Sequence, residues 1–291
     1  MPPQPTPITI PSTTHHLSAH LYHPTATAKP TRPLPAIIIS HPMTGIKEQT
    51  STTYAHYLTT SAGGEDGDSC GFITLTFDAA HQGLSTGYPR GLEDPWQRIA
   101  DIKAAVTYLS TLPSVDRARI GVLGICASGG YVCSAAASDI RIRAVATVSA
   151  ACVGRMVRCG GVHEHLQEPD QEQAMRETLL DAAAAWRSRN AKMYYGTERG
   201  RHPRSDQRVP AVSFDLMVAF DAFAFQRLIA PRPLLMIAGD RAQTLHFSRD
   251  AVAAAREPKE LLVVQGRNHF DLYDDLEVSG PALVRFFGRV L

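Results

Sequence analysis

Three residues that could do chemistry together lie far apart in the chain, and each closely follows an apolar run. Cys126 follows residues 120–125, Asp240 follows 233–239, and His269 comes shortly after 260–265. A thiol reacts as its thiolate, an imidazole can take the thiol proton, and a carboxylate can fix the imidazole tautomer and stabilise its cation. That set describes covalent acyl transfer, with sulfur attacking a carbonyl carbon. A free thiol has a pKa of about 8.5, which a helix N-terminus and a neighbouring imidazolium both lower. A resting thiolate–imidazolium pair is therefore expected. Taken singly, each residue also has a plain structural role: a buried apolar Cys, a turn-capping Asp, and one of twelve histidines. Their common placement at strand ends is what gives the set meaning.

The stretch Ile120-Gly-Val-Leu-Gly-Ile-Cys-Ala-Ser-Gly-Gly-Tyr131 reads as strand, sharp turn and helix with Cys126 at the tip. A tip residue held in a strained backbone needs small residues two positions before and after it, and Gly124 and Ser128 meet that demand. Gly129 would let the following helix pack closely on the sheet. Acyl transfer also needs donors for the developing oxyanion. The backbone N–H of Ala127 is one expected donor. The other comes from the loop His41-Pro-Met-Thr-Gly45, with Met43 first choice and Thr44 second.

The elements that must position these groups alternate between strands and helices. Short edge strands are expected at 8–10 and 16–22, and buried strands at 34–40, 71–78, 120–125, 143–149, 233–240 and 260–265. Asp94-Pro95 opens a helix with Ile99, Ile102, Ala105, Val106 and Leu109 along one face. Further helices follow the strands ending near 40, 125, 240 and 265. This alternation implies an α/β fold with a mostly parallel central sheet and helices on both faces. Open sheets of that kind place their sites beyond the C-terminal ends of strands. From 155 to 230 strand-like runs vanish and helical stretches at 171–188 and 215–228 take over. The expected organisation is a core of 1–154 and 231–291 with 155–230 inserted as a helical cap.

Composition narrows the function further. A chain of 291 residues, 44% hydrophobic, can bury one large core with an insertion. A net charge of +1, without long charged blocks, points away from nucleic acid and membrane surfaces. Five Cys without a C-x-x-C point away from disulfide staples and structural zinc and toward a reducing compartment. The proline-rich start lacks an apolar signal region, and no run suits a membrane span, so a cytoplasmic location is expected. His163 and His165 lack a third ligand at motif spacing, so no metal is expected, and no cofactor motif is present. Arg199, Arg201, Arg204 and Arg208 form a basic loop, either solvated or meeting an acidic carrier domain. Cys133, Cys152 and Cys159 read as packing residues.

The order nucleophile, acid, histidine is that of the α/β-hydrolases. Several stretches carry a closer resemblance: His41-Pro-x-x-Gly-Ile-Lys-Glu-Gln-Thr50, Phe77-Asp78 with Gly83-x-Ser-x-Gly-x-Pro-Arg90, and Gly124-Ile-Cys-Ala-Ser-Gly-Gly-Tyr131. Ile229-Ala-Pro-Arg-Pro-Leu-Leu235, Gly239-Asp240 and His269 complete them. Together they resemble dienelactone-hydrolase-like α/β-hydrolases with a Cys nucleophile, and more closely the fungal polyketide transferase and thiohydrolase group. The resemblance implies catalytic roles for Cys126, Asp240 and His269. It also implies acyl transfer or hydrolysis on a polyketide-type acyl thioester in secondary metabolism, with a small-molecule substrate delivered on a carrier domain or CoA. A sulfur nucleophile suits this chemistry, because exchanging one thioester for another is near thermoneutral. Ester or lactone hydrolysis is the alternative, and a non-catalytic binding role the third reading.

Overall fold

The computed structural model describes residues 3–24, 32–61, 71–159 and 194–291. Eight strands form one sheet in the order β1-β2-β4-β3-β5-β6-β7-β8. The hairpin β1 (Thr6–Ser12) and β2 (His15–Tyr22) is antiparallel and joins β4 (Ile73–Phe77) antiparallel. From there β3 (Leu34–Ser40), β5 (Val115–Ile125), β6 (Ile142–Val148), β7 (Leu234–Gly239) and β8 (Lys259–Val264) run parallel to β4 and to one another. Central strands covered on both faces must be apolar throughout. Accordingly, Ile37, Ile38 and Ile39 have no exposed surface, a burial worth about 1.5–3 kcal/mol for each side chain.

Seven helices lie among the described residues: α1 (Thr50–Thr60), α2 (Pro95–Thr111), α3 (Ser128–Ser138), α4 (Val153–Cys159), α5 (Val212–Val218), α6 (Leu245–Ala254) and α7 (Ser279–Val290). Asp94 caps α2 by accepting from the Trp96 and Gln97 N–H groups, ahead of Pro95 at the first helical position. Two glycines of β5 show how close the flanking helices come. A Cβ on Gly121 would lie 2.8 Å from the Phe287 ring of α7, and one on Gly124 would lie 2.2 Å from the Ser128 carbonyl at the start of α3. Positions 121 and 124 differ in parity, so these contacts lie on opposite faces of the sheet. The mostly parallel sheet with helices on both faces is thus present as expected.

One departure falls in the expected cap. The stretch 215–228 was expected to be one helix, but α5 ends at Val218 and a separate 3-10 turn spans Gln226–Leu228. Asp221 explains the break: its carboxylate accepts from the Phe223 N–H and pairs with Arg155, competing with helical hydrogen bonding. Phe220, Ala222 and Phe223 are buried against the core. The helix expected at 171–188 and the pair His163 and His165 lie outside the described residues, as does Cys70.

Candidate active site

Strand β5 delivers Cys126 into the left-handed region, with φ of 58°. A side chain there is strained, and the surroundings hold it. The Cys126 N–H donates to the Val148 carbonyl of β6, while its own carbonyl accepts from Gly129 and Ala151. Gly129 allows the approach of α3, since a Cβ there would lie 2.6 Å from that of Ala150. The elbow expected from sequence is therefore formed, with sulfur at its tip and Ala127 opening the first turn of α3.

His269 lies in the loop after β8, between two hydroxyl groups. Nδ1 lies 2.6 Å from the Thr244 hydroxyl, and Nε2 lies 3.0 Å from the hydroxyl of Tyr273. The Ser149 hydroxyl donates to the His269 carbonyl, and Asn268 and Asp271 knit the loop on either side. Burial alone lowers the His269 pKa to about 4, so its resting form is neutral. Tyr273 also neighbours Cys126 and works against the rise of its thiol pKa.

Asp240 does not complete this arrangement. It sits where expected, one residue beyond β7, but its side chain is exposed, and among the described residues its carboxylate makes no hydrogen bond with His269. Thr244, at the start of α6, holds the ring nitrogen that a triad carboxylate would occupy. The expected thiolate–imidazolium pair is also corrected. Burial pushes the Cys126 thiol up, against the smaller opposing effects of Tyr273 and the Ala127 N–H. With no carboxylate bonded to His269 among the described residues, the neutral thiol and neutral imidazole prevail.

The loop after β3 lies beside the elbow as expected. Met43 is buried, and Thr44 has φ of 61°. The Thr44 hydroxyl lies 2.6 Å from Gln207 Oε1, and its carbonyl accepts from Ser205 and Gln207. Below it, buried Arg98 of α2 donates to the His41 carbonyl and to Ser128 Oγ, and the Ser40 and Ser128 hydroxyls are 2.9 Å apart. His41 Nε2 accepts from the Ala79 N–H, which leaves the proton on Nδ1, 2.7 Å from the Pro42 carbonyl. Burial and Arg98 keep this imidazole neutral. Strand β3, the elbow and α2 are thus tied by one polar brace.

The loop motif recognised in the sequence is also mostly structural. Lys47 and Asp78 form an ion pair of 2.8 Å with neither side chain exposed, and Thr50 donates to the Tyr273 carbonyl. In the basic loop, Arg199 pairs with Asp274 and Arg204 with Glu48, so that half of its charge is matched. Among the described residues no group of His, Cys, Asp and Glu could hold a metal ion, and no helix is long and apolar enough to cross a membrane.

Sequence reasoning missed Tyr273, Thr244 and Tyr195. Tyr195 is brought to the site by the segment preceding the basic loop. Its hydroxyl is buried beside Cys126 and Tyr273, with no hydrogen bond of ordinary geometry among the described residues. The available signal was spacing: Tyr273 is four residues beyond His269, and a short helical turn at Asp271–Tyr273 brings it back over the ring. Nothing in sequence marked Thr244 or Tyr195.

Comparison with known proteins agrees with this fold. The chain is 35% identical over 299 residues to the uncharacterized protein YcjY of Escherichia coli (strain K12), covering 94% of each. It superposes on the crystal structure of the hypothetical protein PA2218 from Pseudomonas aeruginosa with a TM-score of 0.86 at 32% identity, covering 100% of this chain and 94% of that one. It is 24% identical to the polyketide transferase grgF of a Penicillium species, over 71% of this chain and 74% of that protein. The GrgF crystal structure shares the fold, with a TM-score of 0.73 over 98% of each chain at 19% identity. Residues 50–279 match the model of the alpha/beta hydrolase family. With the elbow at Cys126 and the histidine loop after β8 in their places, the chain belongs to the alpha/beta hydrolase family.

Proposed function

We propose that this protein transfers or hydrolyses acyl groups held as thioesters, through an acyl-enzyme on Cys126. One observation carries the reading: a cysteine occupies the strained elbow tip, with a neutral histidine presented by the loop after β8. The Cys126 sulfur attacks the thioester carbonyl, His269 receives the thiol proton, and the backbone N–H groups of Ala127 and Met43 bind the oxyanion. Collapse expels the carrier thiolate, which takes the proton back. Water or an acceptor alcohol or amine, deprotonated by His269, then releases the acyl group. Thr244, not Asp240, orients His269 in this scheme. Similarity to a polyketide transferase supports a polyketide-type acyl chain; the reading extends to a chain bound to a carrier domain or CoA, in cytoplasmic secondary metabolism. In this reading the segment 155–230 acts as the cap that selects that chain.

Intact-mass analysis after incubation with short and long acyl-CoA thioesters tests the proposal. An acyl adduct on the wild type, absent from Cys126→Ala, is the expected result. Turnover that survives intact in Cys126→Ala would overturn the nucleophile, and no adduct or turnover with any thioester or ester would return the protein to a binding role. Acylation by simple esters and lactones but not thioesters would identify an ester or lactone hydrolase.

A further inference from the structure

The loop after β3 turns at Pro42–Gly45, where the Gly45 N–H donates to the Pro42 carbonyl at 3.0 Å, so Met43 and Thr44 are the two central residues. Thr44 stands where type II turns demand positive φ and normally carry Gly or Asn. For a β-branched residue, φ of 61° is an outlier that persists only when the surroundings over-determine it. The sign of that angle decides which way the peptide between Met43 and Thr44 faces, and so where the turn aims its N–H groups.

The restraint comes from a segment far along the chain. Gln207 Nε2 donates to the Thr44 carbonyl at 3.1 Å, and Oε1 lies 2.6 Å from the Thr44 hydroxyl, so one amide grips one residue at two points. Ser205 donates to the same carbonyl at 2.6 Å and accepts from Gln207 Nε2 at 2.6 Å. Gln207 is itself left-handed, with φ of 60°. The same segment holds the rest of the loop, since Gln49 donates to the Gly200 carbonyl and Arg204 pairs with Glu48.

We propose that Gln207 is a positioning residue, clamping Thr44 so that the turn presents its N–H groups to the oxyanion. This rests on the reading of Cys126 as an acylated nucleophile with the 41–45 loop supplying an oxyanion donor. Gln207 acts through Thr44. Without its amide, the Thr44 carbonyl and hydroxyl each lose a partner, φ relaxes toward negative values, and the Met43–Thr44 peptide turns over.

An oxyanion forms when the Cys126 sulfur attacks a carbonyl but not when it displaces iodide, so two reactions of one thiol test the clamp. Phenyl thioacetate is the acylating probe and iodoacetamide the alkylating one, each followed by peptide mapping of Cys126 on the full chain. In Gln207→Ala the saturating acylation rate constant should fall by about 10- to 10³-fold, the upper end being loss of one oxyanion donor. The half-saturating concentration and the alkylation rate should stay within about threefold of wild type, as for an interaction made only in the transition state. Gln207→Glu, which keeps the length and loses the donor, should behave alike. Adding Thr44→Gly to Gln207→Ala should recover part of the loss, because glycine takes positive φ without strain. Acylation of Gln207→Ala at the wild-type rate would overturn the clamp. Equal losses in acylation and alkylation would overturn it too, by marking a general structural role. A wild type alkylated at Cys126 but never acylated would refute the acyl reading itself, and the clamp with it.

Discussion

Replacing Thr244 by Val, with Asp240→Asn as its counterpart, asks which group orients the catalytic histidine. Thr244→Val preserves shape and removes the oxygen that lies 2.6 Å from His269 Nδ1. An enclosed N–H left without a partner costs about 1–3 kcal/mol. At about 1.4 kcal/mol per factor of ten, that is roughly a 5- to 150-fold loss. The loss should appear in kcat/KM for whichever acyl-CoA acylates Cys126, because a misdirected tautomer impairs proton acceptance at Nε2. Thr244→Ser should recover most of it. Asp240→Asn alters an exposed carboxylate with no bond to His269 and should change kcat/KM by less than about threefold, within surface-substitution effects. A true triad carboxylate behaves otherwise: its Asn variant loses about 10⁴. A fall of that size in Asp240→Asn, with Thr244→Val near wild type, would refute the reasoning and show that the carboxylate engages the ring during turnover.

The lowered His269 pKa sets the pH dependence. With the group neutral down to about pH 4, kcat/KM should stay level from pH 7 to 5, whereas half-loss near 6.5 would contradict the assignment. Stability follows the same sign. The unfolded imidazole binds its proton below about 6.5 and the folded one only below about 4, so stability should fall with pH across that window, read as a declining Tm. The Lys47–Asp78 pair is tested by Lys47→Met. Stranding the buried Asp78 carboxylate should cost about 3–5 kcal/mol in urea unfolding, and a loss below 1 kcal/mol would show that the pair is not what holds the loop.

Much of this molecule was legible along the chain because its signals are local. Apolar runs marked the buried strands, Asp94-Pro95 marked the start of α2, and small residues around Cys126 marked the turn that φ of 58° confirms. The resemblance motifs were legible too, yet Lys47, Asp78 and Thr50 owe their pattern to bracing loops rather than to chemistry. The end of α5 was not legible, since Asp221 is held there both by the nearby Phe223 N–H and by Arg155, distant in sequence.

The sequence by itself determined the sheet, the elbow, and which cysteine and which histidine lie at strand ends. A strand-to-helix turn and an apolar run are properties of adjacent residues. Which hydroxyls flank His269 was decided only by tertiary structure, where α6 and the 3-10 turn after β8 bring Thr244 and Tyr273 against opposite nitrogens. The charge state of the pair was decided there as well. From sequence a helix end and an imidazole favour thiolate, but enclosure removes the solvation both ions need, and burial wins.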